Sequence, residues 1–227
     1  MMEEIVINEL NLHEALRYMG QPMEECDARI IDKVRECEEK LLKAVRPRYV
    51  YQCFDIEERE DGIGFGGTSL ILRGNDIRNH LKGCSKAILF CATLSSEVDR
   101  LIRVAEINDM LEALALDCLA STAIEQLCDK LELLLKEEFA EYNMTWRYGI
   151  GYGDLSISSQ KEFVKVLNAS KLIGLNVTDS YILTPRKSVT AIIGLSKDKI
   201  EQSKRGCASC NLKGNCAYRK KGSHCNV

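Results

Sequence analysis

The chain has 227 residues, with 31 Lys+Arg against 34 Asp+Glu, a formal charge of −3 and a pI near 5.8. This balance excludes a polycationic nucleic-acid binder. At 45% hydrophobic and 29% charged residues, with three prolines, it has the apolar material for a core and none of the bias of disordered or collagen-like chains. No apolar run approaches the roughly 18 residues that span a bilayer, and Met1-Met2-Glu3-Glu4 is unlike a secretory signal, so the expected location is the cytoplasm, away from membranes.

Asn11-Leu-His-Glu14 reads as a helix start in which Asn11 caps and Glu14 reaches back, and Gly20-Gln-Pro22 stops that helix after Met19. Apolar positions from Met23 to Val45 recur at helical spacing and predict a second helix, ended by Pro47. Tyr49 to Ile56 is rich in β-formers, Glu58 to Gly62 supplies a turn, and Thr68 to Leu72 reads as another strand. The glycine run Gly62-Ile-Gly-Phe-Gly-Gly67 lies between these strand signals without a following Lys-Ser/Thr pair, so a β-hairpin or bulge loop fits it better than a phosphate cradle.

Asp76 to Lys82 suggests a short helix, Lys86 to Thr93 a buried strand, and Ser95-Ser-Glu-Val a helix start leading to Val104. Asn108 through Ala140 has no Gly or Pro and is dense in Leu, Ala, Glu and Lys, which predicts one long helix or two end to end. A glycine-rich aromatic loop, Trp146 to Asp154, precedes a helix from about Ser159 to Leu167. Ser180 to Leu183 and Ser188 to Gly194 read as strands separated by Thr184-Pro-Arg-Lys187. His13 and His80 are isolated and read as surface or helix-cap residues.

Seven of the eleven cysteines (Cys26, Cys37, Cys53, Cys84, Cys91, Cys118 and Cys128) are scattered singly and read as small core hydrophobes. The other four, Cys207-x2-Cys210-x5-Cys216-x8-Cys225, cluster in the last 21 residues. Gly206, Gly214 and Gly222 there allow the sharp turns of a tetrahedral thiolate site. After Glu201 no carboxylate occurs, so the tail carries +6 and the rest of the chain −9. An iron–sulfur cluster, a structural zinc and metal-free or redox-active thiols are the alternatives. The basic residues are either a solvated face or a dock for an acidic electron carrier such as flavodoxin or ferredoxin.

In the loop, Gly149, Gly151 and Gly153 permit a positive φ or a close backbone approach to a ligand. Arg147 offers a planar fork for a carboxylate or phosphate, and Tyr148 and Tyr152 offer rings for a base. A tight structural turn is the competing reading. In helical projection Glu125 lies within about 60° of Leu111, Leu114, Cys118 and Cys128, a mostly apolar stripe where an unpartnered carboxylate is costly. A ligand or an Arg partner would account for it; the structural alternative is a pair with Arg147 or a place at the helix edge.

Arg147-Tyr-Gly-Ile-Gly151-Tyr152 resembles the Arg-x-x-x-Gly-Tyr signature of the reactivation domain of cobalamin-dependent methionine synthase. The resemblance continues through Leu172-Ile-Gly174, Thr178-Asp-Ser180 and Thr184-Pro185-Arg-Lys-Ser188-Val189. Upstream, Ala120-Ser-Thr-Ala-Ile-Glu125 is similar to the segment that carries that family's ligand-binding glutamate. The chain departs from the family at Asn11, where an acidic residue is expected, and after Gly194, where the expected tyrosines are absent.

The resemblance implies an α+β fold, with helices packed on a twisted, largely antiparallel mixed sheet over residues 1–200 and the cysteine-rich basic tail appended over 201–227. It implies a cofactor-binding set of Glu125, Arg147, Gly151 and Tyr152 for S-adenosylmethionine, and Cys207, Cys210, Cys216 and Cys225 remain as metal ligands. It further implies reductive methylation, in which cob(II)alamin gains one electron and the resulting cob(I)alamin attacks the sulfonium methyl in line, so that no catalytic acid or base is required of this chain. Because no Asp-x-His-x-x-Gly stretch is present, the cobalamin is expected on a partner, a methionine synthase subunit or another corrinoid protein. The alternatives are a non-enzymatic module that senses S-adenosylmethionine or binds a corrinoid protein, and an electron-transfer protein using a cluster in the tail.

Overall fold

The computed structural model describes residues 4–21 and 23–200, so the four tail cysteines lie outside the described residues. Helix α1 (Leu12–Tyr18) starts as the sequence predicts, with the Asn11 side chain accepting the Glu14 N–H. The Glu14 carboxylate does not reach back, however. It binds the Arg17 guanidinium one turn on, a charge-assisted pair that outcompetes a neutral backbone donor.

The second helix begins later than its periodicity suggests. A 3-10 turn at Met23–Glu25 precedes Asp27, whose carboxylate accepts the Arg29 N–H at 2.8 Å and starts α2 (Ala28–Ala44). A strong capping residue has won over continued helical spacing. At the far end Val45 is already extended, two residues before Pro47.

Strands β1 (Arg48–Arg59) and β2 (Gly62–Phe65) form an antiparallel hairpin with Ile56 opposite Phe65 and Arg59 opposite Gly62, and β3 (Ile71–Leu72) pairs antiparallel with β2. The glycine run is therefore hairpin, as its flanks imply, but its first four residues, Gly62–Phe65, are strand. The strand expected from Thr68 is confined to Ile71–Leu72, because Thr68 folds into a turn, its Oγ1 donating to the Phe65 carbonyl at 2.8 Å.

After α3 (Asn75–His80), β4 (Lys86–Thr93) is buried from Ala87 onward. Helix α4 (Ser96–Asn108) runs a turn beyond Val104. Asp109 then accepts from the N–H groups of Leu111 and Glu112 and starts α5 (Met110–Glu138), a single helix of 29 residues. Short strands β5 (Asn143–Met144) and β6 (Tyr148–Gly149) precede α6 (Gln160–Val166) and α7 (Ala169–Ile173). The chain then forms β7 (Asn176–Val177), β8 (Leu183–Thr184) and β9 (Ser188–Ser196).

The main sheet has the order β3-β2-β1-β4-β9-β5, with β6 also paired to β9. Ile56 N–H donates to the Ser85 carbonyl near one end of β4, and Arg46 N–H to the Leu94 carbonyl beyond the other, so β1 and β4 run antiparallel. The bonds Ser85 N–H to Leu195 O and Leu94 N–H to Lys187 O make β4 and β9 antiparallel too. The fold is thus α+β with a largely antiparallel sheet. Among the described residues no helix is long and apolar enough to cross a membrane.

Contacts divide the chain into two compact units. The first comprises Met1–Gln52, Leu89–Ala140 and Gln160–Ala191; the second comprises Cys53–Ile88, Glu141–Ser159 and Ile192–Val227. In the first, α1, α2 and α4 pack on α5, which buries Leu116, Leu119, Leu127, Leu131 and Leu135 completely. Burying each such leucine is worth about 1.5–3 kcal/mol. Lys33 and Lys40 of α2 meet the Glu112 carboxylate at 2.7 and 2.6 Å and fix α2 beside the start of α5.

In the second unit the β2–β3 contact depends on an absent side chain. A Cβ at Gly62 would lie 2.5 Å from the Leu72 carbonyl oxygen and 2.7 Å from Ile71 Cγ2. Gly62→Ala is expected to lower stability by about 1–3 kcal/mol, read as a reduced urea midpoint at unchanged slope.

Candidate functional site

In the second unit, residues 145–155 are held from below and exposed above. Thr145 N–H donates to the Gly194 carbonyl at 2.9 Å, and Gly194 N–H donates to Thr145 Oγ1 at 2.8 Å. The same hydroxyl lies 2.9 Å from His80 Nε2. A buried threonine thereby joins the start of the loop to β9 and to the end of α3.

The His80 ring continues this foundation. Its centroid lies 4.6 Å from that of Trp146 and 5.0 Å from that of Tyr148, and Trp146 and Tyr148 are 5.4 Å apart. His80 is therefore no solvated cap residue. Burial pushes its pKa down to about 4, opposed by a hydrogen bond to the Trp146 backbone, and the imidazole is neutral at pH 7.

Tyr148, read from sequence as a ring for a base, is buried at 5% exposure and serves the loop itself. Its hydroxyl donates to the Tyr152 carbonyl at 3.0 Å. Burial, and then the charges of Asp76 and Asp154, push its pKa up to about 12, so it remains a donor at neutral pH. Tyr152 has the opposite placement: its ring is 66% exposed, 6.3 Å from that of Tyr148 and steeply inclined to it.

Gly151 takes φ 92°, in the left-handed region, although a Cβ there would meet Ile157 only at ordinary distance. Backbone conformation and not space demands glycine at this position. Arg147, directly before β6, is buried at 8% exposure. A guanidinium removed from water is costly unless acceptors face it, so this is not the placement of a solvated surface arginine.

Glu125 belongs to the first unit, half-buried on α5. Its neighbour there is Tyr18 of α1, over whose ring the Arg17 guanidinium sits at 4.6 Å. Burial, Glu14 and Glu125 together push the Tyr18 phenol up to about 12. Of the apolar residues expected around Glu125, Cys118 and Cys128 are buried, whereas Leu111 and Leu114 are 41% and 47% exposed.

Arg147, Gly151 and Tyr152 thus share one loop of the second unit, and Glu125 stands in the first. Sequence reasoning missed the roles of His80, Thr145, Asp76 and Asp154. No local motif marks the first two, which meet across 65 residues. The aspartates follow glycines in Gly74-Asn-Asp76 and Gly153-Asp154, a turn signal that was available.

The depressed His80 value has a measurable consequence. The unfolded chain, with its histidine near 6.5, binds more protons than the folded one between about pH 6.5 and 4, so this contribution is complete above 6.5 and is lost as pH falls. Between pH 7 and pH 5 the loss is about 2 kcal/mol. His80→Gln, which keeps a polar group for Thr145, is expected to remove that part of the slope in urea titrations at the two pH values.

No protein-family model matches the chain, and no curated protein matches it. Among solved structures, it matches the crystal structure of the MetH reactivation domain bound to AdoHcy, with 17% identity and a TM-score of 0.62 over 84% of this chain and 75% of that one. The chain therefore has the fold of that reactivation domain, built on a largely different sequence.

Proposed function

We propose that this protein binds S-adenosylmethionine and is the activation component for reductive methylation of a corrinoid carried by a partner, a cobalamin-dependent methionine synthase or a related corrinoid protein. The observation that carries the reading is the loop in which a buried Arg147 is followed, across a left-handed Gly151, by an exposed Tyr152, within the fold of a domain that binds AdoHcy. AdoHcy is the demethylated form of S-adenosylmethionine, with the same carboxylate, ammonium and adenine.

The residue chemistry fits those groups. The Arg147 fork matches the ligand carboxylate in a bidentate pair, and Tyr152 supplies a flat face for the adenine. The partner's corrinoid brings the cobalt that accepts the methyl group, and an electron carrier such as flavodoxin or ferredoxin supplies the electron. This chain's own residues bind and orient the methyl donor, which is where positioning lowers the barrier. For the tail, the proposal is a metal held by Cys207, Cys210, Cys216 and Cys225, as an iron–sulfur cluster or a zinc site.

Calorimetric titration with S-adenosylmethionine tests the reading directly. Arg147→Ala is expected to cost about 1.5–3 kcal/mol of binding, the worth of hydrogen bonds to a charged group. Transfer of a labelled methyl group to a cob(II)alamin-loaded partner in the presence of reductant is the corresponding activity, and its absence would defeat the enzymatic reading. For the tail, anaerobically purified protein is expected to carry iron with a thiolate charge-transfer band, or one equivalent of zinc. Full-length protein with neither metal would remove the metal proposal.

A further inference from the structure

The loop that displays Tyr152 is closed at its far end by two aspartates that cap each other's backbone. The Asp154 carboxylate accepts the N–H of Asn75 at 2.7 Å and that of Asp76 at 3.1 Å, and the Asp76 carboxylate accepts the N–H of Asp154 at 3.1 Å. The approach is close enough to require two glycines. A Cβ at Gly153 would lie 2.1 Å from Asp76 Oδ2 and 2.8 Å from the Tyr148 hydroxyl, and one at Gly74 would lie 2.4 Å from Asp154 Oδ1. Both glycines also have positive φ, 56° and 150°.

Both aspartates are exposed, and the residues between the latch and Gly151 bury no core. The Asp154 carboxylate caps the first two N–H groups of α3, a modest contribution to stability that by itself does not call for two specialised glycines. What it does fix is the crest. Tyr152 is gripped from one side by the Tyr148 hydroxyl on its carbonyl and from the other by the Asp76–Asp154 exchange two residues later. Released, residues 151–154 would recover backbone freedom that a ligand must then remove.

We propose that Asp154 and Asp76 are positioning residues, which preset the exposed Tyr152 ring to receive the flat nucleoside end of S-adenosylmethionine. The proposal rests on the function given above and deepens it: the latch acts through Tyr152, touches no ligand and sets affinity by preorganisation.

The test is a double-mutant cycle read by calorimetry with S-adenosylmethionine, with thermal melting as a fold check. Trp146, the single tryptophan, lies in the same stack and reports the loop by fluorescence. Asp154→Ala and Asp76→Ala are expected to melt within a few degrees of the wild type yet bind about tenfold more weakly, with an altered Trp146 emission. In a Tyr152→Ala background, adding Asp154→Ala is expected to cost nothing more, because coupled residues do not add.

Unchanged binding by Asp154→Ala, or an undiminished further loss in the Tyr152→Ala background, would overturn the latch and leave the function standing. Wild-type protein that binds no S-adenosylmethionine would overturn the function and the latch's role together. Should Asp154→Ala fail to fold, Asp76→Ala, which removes the acceptor for the Asp154 N–H, decides through the same two readouts.

Discussion

One buried hydroxyl fixes the geometry on which the second unit's site depends. Thr145 Oγ1 accepts the Gly194 N–H and faces His80 Nε2, while its own backbone N–H returns to Gly194. Those contacts set where the chain leaves the sheet, and so where Trp146, Arg147 and Tyr148 point. Gly194 is part of the same constraint, since a Cβ there would lie 2.6 Å from Cys84 Sγ and 3.1 Å from Thr145 Cγ2. A polar atom with several partners in a low-dielectric setting specifies one arrangement more sharply than apolar packing does.

The first unit reaches its precision differently. Helix α5 has partners on several sides and buries residues around most of its circumference, so packing against α1, α2 and α4 fixes its axis and rotation. Glu125 inherits its position from that packing and from Tyr18 beside it. Its carboxylate is thus carried by a rigid element.

Legibility from sequence follows the range of the interactions. Strand β4 and helices α1, α5 and α6 could be read because their signals are local: an uninterrupted apolar run, an Asn11 cap, and a stretch rich in strong helix formers. The start of α2 was misplaced where the Asp27 cap overrode periodicity, and β5, β6 and β7 are two-residue strands that exist only through their partners. In the site, Arg147, Gly151 and Tyr152 stood out as a cluster of residue types, and Gly151 proved to need its glycine for backbone reasons. The burial of Tyr148 and His80 could not be read, because the packing that removes them from water is brought together across 65 to 68 residues of chain.

The charge state of the loop's foundation matters as much as its shape. Under the proposed reading the ligand is a sulfonium cation, which additional positive charge near the loop would oppose. His80 is the ionisable ring in the loop's foundation, and burial against Trp146 and Tyr148 keeps it neutral at pH 7. Tyr148 is held in its protonated form by the same enclosure and by Asp76 and Asp154, so it goes on donating to the Tyr152 carbonyl. The loop itself carries the Arg147 guanidinium and the Asp154 carboxylate, and the Asp76 carboxylate is bonded to its backbone.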